Sequence, residues 1–243
     1  MNKQKLTVYT LGVLMTSCAL QSCLDDNDNN WALRRPTALV TVCPVEGGEF
    51  TLHLDDTTTL YPTNMDVSPF GDKEVRALVN YTEESGGKDE RNRNVYINWM
   101  DSIRTKMPVP TLGEENDETY GDDAIEIVKD WVTVAEDGYL TLRIRTVWGY
   151  VGAVHYINLL TGVNPENPYE LELRHDANGD VGGHMADALV AFNLNTLPRN
   201  ENSEVKIKLN WKSFSGEKSA EFDLRLRESA MEYPDMPYNR YVK

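Results

Sequence analysis

Alternation of apolar and polar residues with a period of two is the feature that most constrains the fold of this chain. Val205, Ile207 and Leu209 alternate with polar residues, and Phe222 and Leu224 repeat the pattern farther along. Successive side chains of a β-strand point to opposite faces of the sheet, so the pattern predicts strands with one buried and one solvated face. Helical periodicity is nearly absent. The sequence therefore predicts an all-β protein.

Turn signals divide the chain into short strands. Glu136-Asp137-Gly138 separates an apolar run that begins at Trp131 from one that begins at Tyr139, and Asp-Gly favours the positive φ angles of a tight hairpin. The second half of the chain has about seven short strands, the number expected for an antiparallel β-sandwich. The first half has about four or five strands, which fits a small barrel such as an OB-fold.

The charged segment 113–121 is the predicted boundary between the two units. We assign residues 34–112 to an OB-like barrel domain and residues 122–228 to a β-sandwich domain. Residues 229–243 are predicted to be a C-terminal tail, because their prolines cannot continue a strand. The alternative is that 113–121 is a long loop within a single domain.

The N-terminus has the pattern of an export signal. A basic start and an apolar run, too short to span a membrane, precede Leu20-Gln21-Ser22-Cys23. This motif resembles a lipobox, which implies removal of residues 1–22 and lipidation of Cys23. Acyl chains would then anchor the protein, at roughly 0.8 kcal/mol per buried CH₂. The alternative is an ordinary secretory signal without lipid.

Residues 23–33 form an acidic tether rich in aspartate and asparagine. A segment of this composition has little to bury and is expected to stay solvated. It resembles the acidic export signal of surface lipoproteins in Bacteroides-type bacteria, which implies a surface-exposed outer membrane lipoprotein. The alternative is a spacer on the periplasmic side.

The acidic composition limits the classes of partner. The formal net charge is −15, which argues against a nucleic acid partner and is compatible with cationic partners. From Cys23 onward, Cys43 is the one remaining cysteine, so no intramolecular disulfide is available to a lipidated chain. Stability must therefore come from packed cores.

A loop around residue 180 is the sharpest local candidate for a metal site. Asp176, Asn178 and Asp180 have the alternating oxygen spacing of a calcium loop, and Asp187 stands at its twelfth position. However, Val181 occupies the position that requires glycine, and aspartate is short for a bidentate ligand. We interpret the segment as a turn and predict no metal or other cofactor; calcium binding is the alternative.

Aromatic residues offer a candidate binding surface. Trp148, Tyr150 and Tyr156 cluster beside glycines and are candidate ligand contacts for sugar rings or a protein, although such residues more often fill a core between sheets. His53 and His155 fall in predicted strands, where each is expected to be an ordinary side chain of the sheet. No histidine or cysteine spacing supports a zinc site.

Catalytic motifs are missing from the sequence. There is no Gly-x-Ser-x-Gly elbow, and Cys43 in an apparent strand is more typical of a small core residue than of a nucleophile. A hydrolase would need a cleft with paired carboxylates or a metal. We predict no catalytic residues and no enzymatic activity.

A series of motifs along the chain resembles one family. The motifs occur in order at residues 75–81, 95–98, 125–131, 155–159, 171–180 and 191–194. They are similar to those of the NigD-like lipoproteins of Bacteroides and Prevotella relatives. The resemblance implies an N-terminal OB-type domain and a C-terminal β-sandwich, and it supplies no catalytic residues. The family takes its name from a bacteriocin gene cluster, which implies an immunity role.

These observations lead to one functional prediction and one alternative. We predict a non-enzymatic envelope lipoprotein, held in the membrane by its lipid anchor, that acts as a bacteriocin-immunity-like binder. Its partner is expected to be a cationic peptide or another envelope protein, because an acidic surface attracts cationic partners. The alternative is a surface glycan-binding or envelope-assembly module, since an OB-like domain can bind oligosaccharides.

Overall fold

The computed structural model describes residues 34–45, 47–149 and 152–227. The predicted signal peptide, Cys23 with its tether, Tyr150 and the tail 229–243 lie outside the described residues. Strands account for 55% of the described residues and helices for 4%, which confirms the all-β prediction.

The N-terminal strands close into a barrel with the order β1-β2-β3-β5-β4. Inward-facing residues such as Val40, Val42, Leu52 and Leu60 are fully buried and fill its interior, in keeping with the alternation of side chains along each strand. The predicted small barrel is therefore confirmed. Its strands are β1 (Ala38–Pro44), β2 (Phe50–His53), β3 (Thr59–Pro62), β4 (Val75–Asp89) and β5 (Asn92–Ser102).

The remaining strands form two packed sheets. They are β6 (Arg104–Lys106), β7 (Val109–Pro110), β8 (Glu126–Ile127), β9 (Val134–Glu136), β10 (Tyr139–Trp148), β11 (Tyr156–Thr161), β12 (Glu170–Asp176), β13 (His184–Asn193), β14 (Glu204–Ser213) and β15 (Gly216–Arg225). One sheet has the order β6-β13-β10-β8, with β9 also paired to β10, and the other has the order β15-β14-β12-β11-β7.

Alternating residues of the two sheets make one apolar core. Leu142 and Ile144 from one sheet pack in the same cluster as Leu173, Ile207 and Leu209 from the other. The predicted β-sandwich is therefore confirmed. The sheets also contain parallel pairs, β6 with β13, β7 with β11 and β12 with β14. β12 and β14 run parallel because the chain crosses to the other sheet and back between them.

Both predicted hairpins form. β14 and β15 pair antiparallel, and Lys206 on the solvated face binds Asp223 opposite it at 2.6 Å. β9 and β10 pair across Asp137 and Gly138, whose φ angles are 51° and 77°. The strand predicted to start at Trp131 begins only at Val134, because Asp130 holds the preceding residues in a turn.

The chain passes directly from the barrel into the sandwich. β5 ends at Ser102 and β6 begins at Arg104. The segment 113–121, which we predicted to be the interdomain linker, forms a 3-10 turn (Gly113–Glu115) and the helix α1 (Asn116–Tyr120). Asn116 is buried there and bonds to the Leu112 backbone and to Thr111. Within the described ranges, no helix has the length and apolar character needed to cross a membrane.

Candidate functional site

A network of buried charged residues joins the barrel to the sandwich. Arg76 on β4 is fully buried, and its guanidinium donates to Thr41 Oγ1 of the barrel at 3.0 Å. It also donates to Thr141 Oγ1 of the sandwich at 3.3 Å and pairs with Glu136 at 2.5 Å. Side chains alternate along β4. Val75 and Ala77 point into the barrel, so Arg76 between them points outward to β10.

Arg227 forms the second half of the network, just after β15. Its guanidinium pairs with Glu74 and with Asp137 Oδ1, the latter at 3.2 Å. Tyr139 donates its hydroxyl hydrogen to Glu74. We call Arg76, Glu136, Arg227, Glu74 and Asp137 the interdomain cluster.

Two members of the interdomain cluster, Arg227 and Glu136, have shifted pKa values. Burial alone would lower the pKa of Arg227, but the nearby carboxylates of Asp137 and Glu74 raise it above its ordinary value. Burial raises the pKa of Glu136, although the Arg76 guanidinium opposes the shift. Burial and the charge of Glu74 raise the pKa of Cys43, so this thiol stays protonated and is a poor nucleophile, as expected for a core cysteine.

A cleft of about 400 Å³ opens beside the interdomain cluster. Its walls come from the β2–β3 loop, the β9–β10 turn, the loop before β14 and the end of β15. Carboxylates dominate its charged groups, with Arg225 and Arg227 as the cations; the carboxylates belong to Asp55, Asp56, Asp137 and Glu201. An adjoining groove of about 460 Å³ shares Asp56 and Arg225 with it and adds Glu204, Asp223 and the cation Lys206. We call the first cavity the interdomain cleft.

Two carboxylates show what the interdomain cleft can do chemically. Burial opposes ionisation of Asp55, but hydrogen bonds from Thr57 and Thr58 lower its pKa, so it is an anion at neutral pH. Asp137 is 2% exposed, and its Oδ2 has no hydrogen-bond partner within the described part of the chain. The cleft therefore offers negative charge for a cation.

A second buried polar cluster lies in the sandwich and was missed by the sequence analysis. His155, just before β11, is fully buried, and its Nδ1 lies 2.8 Å from Nε2 of His175 on β12. Its Nε2 lies 3.3 Å from Oδ2 of Asp180, which is 4% exposed. We call these three residues the histidine cluster. The sequence analysis placed His155 in a strand but assigned it no partners; its ring lies between His175 and Asp180.

A signal for the histidine cluster is present in the sequence. His175 continues the buried alternation of Leu171 and Leu173, and His155 continues that of Ile157 and Leu159. Both histidines therefore stand on faces that the pattern assigns to the core. Polar residues on such a face need partners, which is the clue that an alternation analysis could have used.

The structure does not bring the proposed calcium ligands together. Asp180 turns inward to His155, while Asp176 Oδ1 accepts the Asn178 amide hydrogen at 2.7 Å. Asn178 has a φ of 50°, as a turn residue would. Asp187 is bound by Arg143 and Arg145. Within the described residues, no group of three or more His, Cys, Asp or Glu side chains is arranged to hold a metal ion.

Of the candidate aromatic residues, Trp148 makes contacts within the protein. The Trp148 ring centroid lies 3.9 Å from that of His155, and its Nε1 donates to the Ala186 carbonyl at 3.0 Å. Tyr156 is half-buried on β11. Trp131, in contrast, is 55% exposed beside a recess of about 230 Å³ whose lining includes Pro36 and Leu189.

Two family models match the chain. A NigD-like N-terminal OB domain matches residues 39–103, and a NigD-like C-terminal β-sandwich domain matches residues 107–224. The junction between the two matches falls at β6, where the chain leaves the barrel. A comparison with curated proteins finds no match.

Solved structures show the same arrangement. A protein of Parabacteroides distasonis, provisionally described as toxin-related, is 31% identical with a TM-score of 0.65, covering 77% of this chain and 92% of its own. A Bacteroides vulgatus protein of unknown function is 21% identical with a TM-score of 0.61, covering 83% and 94%. A Bacteroides caccae protein described as a NigD-like immunity protein is 22% identical with a TM-score of 0.53, covering 76% and 90%.

None of these three relatives is described as an enzyme. The two family matches together span most of the described residues, and the Parabacteroides protein extends the likeness to 31% identity. This chain belongs to the NigD-like family.

Proposed function

We propose that this protein is a non-enzymatic binding protein of the cell envelope that captures a cationic peptide in its interdomain cleft. In this proposal it acts as an immunity-type protein, as one of its structural relatives is described. The observation that carries the proposal is the excess of carboxylates in the interdomain cleft, which lies where two domains meet and where ligand sites commonly occur.

Charge complementarity explains why a cationic peptide is the preferred ligand. Asp56 and Glu201 are exposed at the rim and would steer a basic peptide toward the cleft. Asp55 stays ionised within it. The formal net charge of −15 has the same sign as the cleft.

The location in the proposal follows from the N-terminal sequence. Cys23 would carry the lipid, and the acidic tether would hold the two domains at the outer face of the outer membrane. There the cleft would meet a peptide before it reached the membrane. Replacing Cys23→Ala is expected to abolish labelling by radioactive palmitate and release the protein from the membrane fraction. Labelling that persists in the variant would contradict the anchor.

Peptide binding can be measured with the purified chain. A fluorescently labelled penta-arginine peptide should bind, and penta-glutamate should not. The double variant Asp56→Asn, Glu201→Gln should weaken penta-arginine binding by about tenfold, equivalent to about 1.4 kcal/mol. The matched control is Asp101→Asn with Glu118→Gln, which removes the same charge from exposed sites outside the cleft.

Each outcome of the peptide titration is decisive. Loss of affinity in the cleft variant alone supports the cleft as the site. Equal losses in both variants would show that overall charge, rather than the cleft, attracts the peptide. Absence of penta-arginine binding at low salt, where electrostatic attraction is strongest, would overturn the proposed function.

Carbohydrate binding is a second candidate function, favoured by Trp131. An exposed indole beside a shallow recess can stack on a sugar ring, and the Asp130 and Arg143 side chains that line the recess can contact hydroxyl groups. A glycan array with the Trp131→Ala variant as control tests it. Signals that are missing, or that survive the substitution, would remove this candidate.

A further inference from the structure

The last described residues of the chain line the interdomain cleft. Leu226 and Arg227 form part of its wall, and the Arg227 guanidinium pairs with Glu74 and Asp137. These pairs fix the point from which the chain continues. Residues 228–243, which we call the tail segment, therefore leave the described fold at the edge of the cleft.

The tail segment has its charges sorted by sign along the sequence. Its carboxylates all precede its cations: Asp235 is the last acidic residue, and Arg240 and Lys243 follow it. A cleft dominated by carboxylates repels the acidic part and attracts the basic part. We call residues 239–243 the basic tip. The basic tip therefore has the charge that the cleft is expected to bind.

The tail segment is long enough to return to the cleft. Arg240 lies 13 residues after Arg227. A flexible chain of this length has a root-mean-square span of about 20 Å. Pro234 and Pro237 lack an amide hydrogen and fix φ, so they do not allow the segment to extend β15 as a regular strand. The basic tip is therefore kept near the cleft at an effective concentration in the millimolar range.

Exposed carboxylates stand where the basic tip can reach them. Asp56 and Glu201 lie at the rim of the cleft, and Asp56 is held in position because its Oδ1 accepts the Asp137 amide hydrogen at 2.8 Å. Glu204 adds another exposed carboxylate in the adjoining groove. Residues three positions apart in an extended chain are separated by about 10 Å, so the two cations of the basic tip can each meet a different carboxylate.

We propose that the basic tip is an internal occupant of the interdomain cleft and competes there with the peptide ligand. This inference rests on the proposed function, because both use the same carboxylates. It adds a threshold, since a ligand must displace the tip before it binds. A peptide with many clustered cations displaces the tip, whereas a peptide with two cations, like the tip itself, competes poorly. The tail segment therefore makes the cleft selective for densely basic peptides.

Carbodiimide cross-linking of the full chain tests the occupancy without any added peptide. The reagent joins an ammonium group to a carboxylate that lies in contact with it. Peptide mass spectrometry should find Lys243 joined to Asp56, Glu201 or Glu204 within one chain. Lys129, which is exposed outside the cleft, should not be joined to them. Absence of the Lys243 links, or links found only between labelled and unlabelled copies in an isotopic mixture, would overturn the inference.

Titration with labelled penta-arginine measures the competition. The tip variant, Arg240→Gln with Lys243→Gln, should bind the peptide about fivefold more tightly than the wild type, because the tip no longer competes at its high effective concentration. The matched control is Lys129→Gln with Lys218→Gln, which removes the same charge from exposed sites outside the cleft. The control should change the affinity by less than about twofold, since solvent and salt screen distant charges.

The outcomes separate this inference from the proposed function. Tighter binding in the tip variant alone supports the inference. Equal changes in the tip variant and the control, or an unchanged affinity in the tip variant, would overturn the inference and leave the cleft as the peptide site. Penta-arginine that binds neither the wild type nor the tip variant would overturn the proposed function, and the Lys243 cross-links would then decide by themselves whether the tip occupies the cleft.

Discussion

The interdomain cluster and the histidine cluster both contain buried polar side chains, but they use different chemical groups. Each buries ionised groups away from water, which costs free energy unless the charges are paired and hydrogen-bonded. The interdomain cluster uses guanidinium groups that stay charged at any physiological pH. The histidine cluster uses imidazoles, whose charge can change with pH, and burial lowers the pKa of His175 to about 4. The first contact between domains is therefore permanent, and the second contact, within the sandwich, depends on pH.

The difference between the clusters matches their positions. Arg76 and Arg227 join elements that are far apart in sequence, so a lost charge there would loosen the docking of barrel and sandwich. The histidine cluster joins a turn to a strand inside one domain, where local opening leaves the core intact. A contact that depends on pH is therefore less damaging in the histidine cluster than it would be in the interdomain cluster.

The largest effect is expected from Arg76→Met. The substitution leaves Glu136, Thr41 and Thr141 without their buried partner, so we expect the free energy of unfolding to fall by about 3–5 kcal/mol. Denaturant titration measures it. Arg93→Met, which breaks an exposed pair with Glu83, is the control and should change it by less than about 1 kcal/mol. Similar losses in both variants would contradict the structural role of the interdomain cluster.

Acid is expected to produce the next largest effect, through His175. Its pKa falls from 6.5 in a free chain to about 4 in the folded protein, so the unfolded chain binds this proton first. Stability from this group is complete above about pH 6.5 and is lost as pH falls toward 4, by about 3 kcal/mol in total. The measurement is the difference between wild type and His175→Gln in the free energy of unfolding across this range. A difference that stays constant with pH would refute the assignment.

A smaller effect is expected for Asp187→Asn on the outer face of the sandwich. Hydrogen bonds from Arg145 and Arg143 hold the pKa of Asp187 at about 2, below its ordinary value of 3.8. The stability from this group is present above pH 3.8 and is lost as pH falls through 2. Because Arg143 and Arg145 are open to solvent, we expect the free energy of unfolding to fall by about 1 kcal/mol at neutral pH. Thermal melting at low and high salt checks it, and a loss comparable with that of Arg76→Met would erase the distinction between buried and exposed networks.

The smallest effect is expected for Lys206→Ala. Its partner Asp223 is highly exposed, and solvent screens the pair. The melting temperature should not change measurably, and a marked decrease would show that the wet face of the β14–β15 hairpin stabilises the sandwich.

Local patterns predicted the strands and turns because their causes are local. The alternation in Val205, Ile207 and Leu209 sets which face of β14 is buried, and Asp137-Gly138 sets the β9–β10 hairpin through its backbone angles. The start of β9 was missed because Asp130 bonds to the Val132 amide and holds a turn where the apolar run suggested a strand. The interdomain cleft was missed for a different reason. Asp137 was recognised as a turn residue, but the residues next to it in the sequence do not indicate that Arg227 is its partner.

The sequence by itself determined the all-β class and the order of the two domains, because periodicity and turn chemistry act over short distances along the chain. The tertiary structure alone decided which polar residues meet. Arg76 reaches Thr141, and His155 reaches His175 and Asp180, through contacts between strands that are distant in sequence. Charge and proton placement in both clusters depend on burial and on neighbours across the sheets, and these arise only when the chain has folded.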